Sequence, residues 1–192
     1  METIDMIHKK DELVLPGDIL CTYEEYIPSN WTYVEDGYIK ASIGGNVIID
    51  DEEKTISITT VNPPEYLKED DIVIGHITEV KANKALVTIK TIKNKKRELV
   101  TGYKGFIHIS KSSNNFVSSM HNLFKIGDIV EARVMNIYGP EYIDLSTLEL
   151  NTGVIKAMCV ECRKFMHFKE NKLVCECGKT DSRKISINYG GI

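Results

Sequence analysis

The sequence predicts an all-β protein organised around a small closed barrel at residues 71–149. Two observations predict it. Over 72–80 and 85–89, β-branched and other apolar residues recur at every second position, the period of a strand with one buried face. Turn-forming residues then interrupt the alternation at short intervals. The segment therefore reads as five strands over 72–80, 84–92, 103–109, 128–137 and 141–147, with residues 110–124 left as one long connection that has room for a helix. Five strands with that one long connection suit the OB barrel, whose open face commonly binds oligonucleotides.

Ahead of the barrel, Leu15-Pro16-Gly17-Asp18 is a turn that delivers the chain into a strand over 19–23. Cys21, a lone small thiol in that strand, is expected to pack in a core. Residues 33–42 read as a hairpin, because Asp36-Gly37 adopts the positive φ angles of a tight turn. Gly44-Gly45 makes a further break. Stretches 46–50 and 54–60 then alternate around an acidic tip at 50–53, completing a compact β-unit. Glu35 and Asp36 are carboxylates in a turn, where sequence neighbours point apart, so they do not make an acid/base pair. Asn62-Pro63-Pro64 ends the pattern, since proline removes a ladder donor, and places the first boundary there, with domains expected at 1–64, 65–150 and 154–192.

Inside the barrel, alternation through Gly105-Phe106-Ile107-His108-Ile109-Ser110 sets Phe106 and His108 on one face and Ile107 and Ile109 on the other. The isoleucines suit the core, which leaves Phe106 and His108 exposed, and an exposed ring can stack a nucleobase. Tyr138 and Tyr142 flank the last turn; they either extend such a stacking surface or pack against a neighbouring domain. Lys93, Lys95, Lys96 and Arg97 make a short basic loop that is either a phosphate grip or a solvated turn.

The last stretch holds Cys159-x-x-Cys162 and, after twelve residues, Cys175-x-Cys177. Four thiolates suit tetrahedral zinc in a closed, structural site. The first pair has the usual two-residue gap and the second is one residue short, so its sulfurs are expected to point less comfortably at one ion. His167, between Met166 and Phe168, is a candidate substitute ligand but is expected at the surface. Lys179, Arg183 and Lys184 follow the second pair and offer affinity for nucleic acid or a docking point.

Charge divides along the chain: residues 1–67 carry a net −10, residues 68–153 carry +2 and residues 154–192 carry +4. The front should avoid phosphates and suit a basic protein surface, unless it is merely a solvated acidic face, whereas the remainder can face RNA. No apolar run approaches the roughly 18 residues of a membrane span. The N-terminus lacks the basic and apolar regions of a signal peptide, so a cytoplasmic protein with its five cysteines reduced or metal-bound is expected.

The order of Val80, Ala85, Val87, the Gly-Phe-Ile-His-Ile-Ser phrase, Phe124-Lys125-Ile126-Gly127-Asp128 and Ile143-Asp144-Leu145-Ser146 resembles an S1 RNA-binding domain over about 80 residues. With the Pro-Gly-Asp strand and Glu-Asp-Gly hairpin before it and the cysteine pairs after it, the chain is similar to archaeal exosome cap subunits that join an N-terminal β-domain, an S1 domain and a zinc ribbon. The resemblance implies a non-catalytic RNA-binding subunit whose N-terminal domain docks on a ring of RNase PH-like subunits and guides single-stranded RNA to it for 3′–5′ degradation. The implied partners extend to the second cap type and a primase-like protein. His108 matches the histidine of the family's RNA-binding face. Asn83 and Leu86 stand where the family usually offers two stacking aromatics. A transcription- or translation-associated RNA-binding factor is the alternative, since S1 barrels and zinc ribbons also occur there. A metal-dependent nuclease would need carboxylates clustered on a positioned scaffold to hold catalytic cations, and the sequence offers none outside turns.

Overall fold

The computed structural model describes residues 10–95, 97–99 and 102–191. The chain divides between Pro63 and Pro64 into two units.

The first unit holds β1 (Leu13–Val14), β2 (Ile19–Thr22), β3 (Ile27–Pro28), β4 (Thr32–Glu35), β5 (Tyr38–Ala41), β6 (Gly45–Asp50) and β7 (Thr55–Thr59). They form one sheet in the order β2-β5-β4 and another in the order β1-β6-β7-β3. The β4–β5 hairpin turns on Asp36 and Gly37 at φ 54° and 82°, the two positive angles that an Asp-Gly turn supplies. β6 alternates buried and exposed along its whole length, so Val47 and Ile49 join Val14, Leu20, Ile39, Ile56 and Ile58 in a core. Cys21 belongs to that core at 2% exposure, and burial, with Glu25 adding to it, pushes its thiol up to about 11. It is a packing residue, as the lone thiol implied.

The second unit contains a barrel of β8 (Ile72–Val80), β9 (Lys84–Ile92), β10 (Lys104–His108), β11 (Ile129–Gly139) and β12 (Tyr142–Ser146). Antiparallel pairs link β8 to β9, β9 to β10, β11 to β12 and β11 to β8, and a parallel pair joins β10 to β12, which closes the ring. The first two strands run as the alternation predicts, and the others differ at their ends by one or two residues. The connection over 110–124 contains no α-helix: it makes two single 3-10 turns, Ile109–Lys111 and Met120–Asn122. Its run of serines and asparagines bonds to local backbone instead, with Ser112 Oγ donating to Ile109 O at 2.7 Å and Ser119 Oγ accepting from His121 N.

Beyond the barrel, β13 (Gly153–Lys156) pairs with β11, and β14 (His167–Lys169), β15 (Lys172–Val174) and β16 (Thr180–Asp181) form a small sheet. Val154, Ala157, Met166 and Leu173 lie in the same hydrophobic cluster as Ile77, Val87, Ile107, Val130 and Leu145 of the barrel. The cysteine-bearing segment is thus built onto the barrel and shares its core. Gly153 makes the joint possible. At φ 126° it lets Lys184 O come so near that a Cβ there would stand 2.5 Å from it. Among the described residues no helix is long and apolar enough to cross a membrane.

Candidate nucleic-acid face and metal centre

Register sets a row of side chains across four adjacent strands: Leu86 on β9, Phe106 on β10, Asp144 on β12 and Asn136 on β11 are successive cross-strand partners. Ile107, between Phe106 and His108, is fully buried, while Phe106 is half-buried and His108 exposed, as alternation requires. Ile109 is half-buried against the core from the 3-10 turn. A register shift between Ile137 and Gly139 leaves Tyr138 as an extra residue beside Tyr142. The three rings are contiguous: Phe106 and Tyr142 have centroids 4.9 Å apart, and Tyr142 and Tyr138 5.5 Å, tilted by 50° and 56°. Tyr138 is 66% and Tyr142 57% exposed, so they stay open to solvent on the barrel face. Leu86, in the place where the family usually offers an aromatic, has no ring, and the two tyrosines supply the aromatic area.

Phe106, His108, Lys111, Asn136, Tyr142 and Asp144 border a cleft of about 360 Å³, at the small end of ligand-sized pockets. His108 Nδ1 accepts from Ser110 N at 3.3 Å and stands 2.8 Å from Ser110 Oγ. A nitrogen that accepts carries no hydrogen in the neutral ring, so Nε2 holds it and remains a donor.

The basic loop is partly committed to the fold. Lys93 Nζ lies 2.9 Å from Glu131, a carboxylate only 3% exposed that also accepts from Asn188 Nδ2 at 2.7 Å. Lys95 pairs with Glu65 at 3.3 Å. Arg97 is also engaged, and Lys96 lies outside the described residues.

The four cysteines come together: all their Sγ atoms lie within 4.8 Å of one another, with Cys159 to Cys177 at 3.7 Å and Cys162 to Cys175 at 3.2 Å. Sulfurs around tetrahedral zinc at about 2.3 Å stand about 3.8 Å apart, so the set fits a metal of that size. The short second gap is accommodated by a shorter turn of the same kind. In the first, Cys159 N donates to Lys164 O and Arg163 N to Cys159 O; in the second, Cys175 N donates to Lys179 O and Gly178 N to Cys175 O. Each loop carries a positive φ just before its closing carbonyl, 60° at Arg163 and 86° at Gly178. Dropping one residue exchanges an i+4 closure for an i+3 closure and keeps the sulfurs facing inward. Backbone N–H groups of Cys162 and Glu161 pull the Cys159 thiol down to about 7. At Cys175 the Cys177 N–H also favours the thiolate, but the neighbouring Cys162 thiol and burial outweigh it and push the group up to about 12. Four thiols this close cannot all ionise without a cation among them. His167 is exposed on β14 and outside the set.

Two of the three basic residues after the second pair are taken inward, contrary to the expected exposed role. Arg183 is fully buried, its Nε donating to Asp128 at 2.8 Å, and Asp128 also accepts from Met158 N at 2.9 Å and Lys125 N at 2.8 Å. Lys184 Nζ donates to Glu149 O and Thr152 O, and burial lowers its pKa. Lys179 reaches Glu161 at 2.9 Å while Lys164 reaches Glu176 at 2.8 Å, so each cysteine turn lends the other a lysine. In the sequence, Gly127-Asp128 stands only as part of the Phe-Lys-Ile-Gly-Asp phrase. Its partner is 55 residues away, and no local pattern signals it.

Comparison with known proteins gives three findings. Residues 13–50 match the family model described as the exosome complex exonuclease RRP4 N-terminal region. The exosome complex component Csl4 of Archaeoglobus fulgidus is 30% identical over 178 residues, spanning 92% of this chain and 96% of that protein, and rrp4 of Schizosaccharomyces pombe is 27% identical over 75% of this chain and 43% of its own length. Among solved structures, the intact alpha subunit of aIF2 from Pyrococcus abyssi gives a TM-score of 0.36 at 23% identity, over 46% of this chain and 31% of that one.

Proposed function

The chain belongs to the Csl4 family of exosome components, and from that premise we propose that it is a non-catalytic RNA-binding cap subunit, placing single-stranded RNA on the barrel while a ring of RNase PH-like subunits performs 3′–5′ degradation. The observation that carries this reading is the open aromatic track of Tyr138, Tyr142 and Phe106 beside the donor His108. Each ring can stack a base for about 1 to 3 kcal/mol without regard to sequence. Lys95, Lys96 and Arg97, with Lys93 more firmly held by Glu131, would add phosphate attraction from the loop after β9.

In this reading the work is divided among residues 1–64, which dock on the ring, 65–150, which hold RNA, and 154–192, which carry the metal. The acidic balance of the front suits a basic protein surface and disfavours phosphate. The metal is zinc, held by Cys159, Cys162, Cys175 and Cys177; four protein ligands leave no position for a reacting water, so the ion's part is structural. The second cap type and a primase-like protein are further partners, and the cytoplasm is the compartment in which reduced cysteines and such an assembly belong. Weak binding at one cap is sufficient, because several sites on one ring act at high effective concentration.

The test is co-elution of the purified chain with the RNase PH-like ring, with and without residues 1–62. The full chain is expected to join the ring and the truncated one to elute apart while still binding RNA. A full chain that binds RNA and never joins the ring would instead indicate a free RNA-binding factor.

A further inference from the structure

Asp144 is the one carboxylate among the residues that border the cleft, and the RNA-binding reading leaves it without a task. It stands half-exposed in the middle of the row, with Phe106 opposite on one side and Asn136 on the other. It borders the same cleft as Tyr142, His108 and Lys111. Among the described residues its carboxylate has no hydrogen-bond or ion-pair partner. A bare carboxylate repels phosphate and so weakens the face for the backbone of any RNA. As an acceptor-only group it gains where a base edge brings hydrogens to it. The donors Lys111 and His108 lie further along the chain from Phe106, and the acceptor lies directly beside the ring.

We propose that this cleft selects guanine. The base stacks on Phe106 and Tyr142 and donates N1–H and N2–H to the two oxygens of Asp144, Asn136 offers its amide N–H to O6, and Lys111 and His108 take the phosphate or ribose oxygens. Guanine is the standard base whose pairing edge sets two adjacent donors against two carboxylate oxygens. Adenine and cytosine place a ring acceptor next to their amino group, and uracil flanks its one N3–H with two carbonyls, so each turns a lone pair toward the carboxylate. The inference rests on the RNA-binding reading of this face.

Anisotropy titration of the full chain with single-stranded RNAs of about eight nucleotides, the span of one such barrel, tests it. The strands are uridine throughout or carry one central guanosine, adenosine or inosine. The guanosine strand is expected to bind about tenfold tighter than the adenosine and all-uridine strands, a bidentate contact's worth. Inosine, which lacks the N2 amino group, should lose most of that gain. Asp144→Asn should bring the guanosine strand to the level of uridine, while uridine itself binds as well or better for want of a negative charge. Equal affinity for all four strands, each still weakened by Phe106→Ala, would overturn guanine selection and leave the RNA face standing. A guanosine preference that survives Asp144→Asn also overturns the assignment. Failure to bind any strand removes the RNA-binding reading and the selection together.

Discussion

Asp128 shows how one side chain holds two parts of the second unit in register. Its carboxylate takes a turn N–H from Lys125, a backbone N–H from Met158 and the guanidinium of Arg183, and neither charged side chain is exposed. Burying such a pair gains little in itself, but removing Asp128 leaves the Arg183 charge in the interior with only the partly buried Asp181, 2.8 Å from Nη1, to answer it. Asp128→Asn is therefore expected to lower stability by about 3 kcal/mol, read as a fall in the urea midpoint with unchanged slope. The half-exposed Arg133–Glu149 pair behaves differently. Arg133 Nη2 donates to Glu149 at 2.9 Å, and that hydrogen bond holds the Glu149 carboxyl below its ordinary value. A depressed carboxylate pKa adds stability above its unfolded value, lost as pH falls through the folded one. Wild type should exceed Glu149→Gln in melting temperature at neutral pH by the small amount a surface pair supplies, and the difference should shrink as pH falls below about 4.3, the ordinary glutamate value, and vanish once the folded-state carboxyl is protonated. At this scale the sequence was legible where a period decides: Phe106, His108 and Ile107 follow from alternation alone. It was silent where a partner is distant, as for Asp128 with Arg183, Glu131 with Lys93 and Asn188, and the cross-strand company of Asp144.

Among the elements, the barrel strands were legible because each buries one face, and a shift of one residue would invert every side chain. The connection over 110–124 was not, because its polar residues fit a helix cap or a turn equally well and tertiary bonds decide between them. The geometry of the second cysteine turn is not legible for a similar reason. Spacing gives the length of a loop but not which carbonyl closes it, and the positive φ at Gly178 rescues the shorter version. Metal removal is expected to loosen β14 to β16, which are short and carry the exposed residues of the ribbon, and to leave the barrel folded through its own core. Chelator treatment should thus expose the backbone over 160–182 to protease while the affinity for single-stranded RNA holds. Metal content before treatment should be one equivalent per chain. Loss of RNA affinity in step with metal loss would show that the ribbon supports the face directly.

The whole molecule joins an acidic β-unit to a barrel whose cysteine-bearing extension shares its core. The charge division and the proline pair at 63–64 made the first boundary legible, whereas the merging of barrel and ribbon was not, since β13 pairs with β11 by a register that no sequence period encodes. In the proposed function the barrel face acts while the chain sits on a ring of RNase PH-like subunits, and one measurement tests that most directly. Degradation of a single-stranded RNA by the RNase PH-like ring is followed alone, with the wild-type chain, and with the Phe106→Ala/Tyr142→Ala double variant, after each chain is shown to co-elute with the ring. Wild type is expected to speed degradation, and the double variant, equally bound to the ring, to return the rate to that of the ring alone. A double variant that stimulates as well as wild type would contradict the account, because RNA would then reach the ring without the aromatic face.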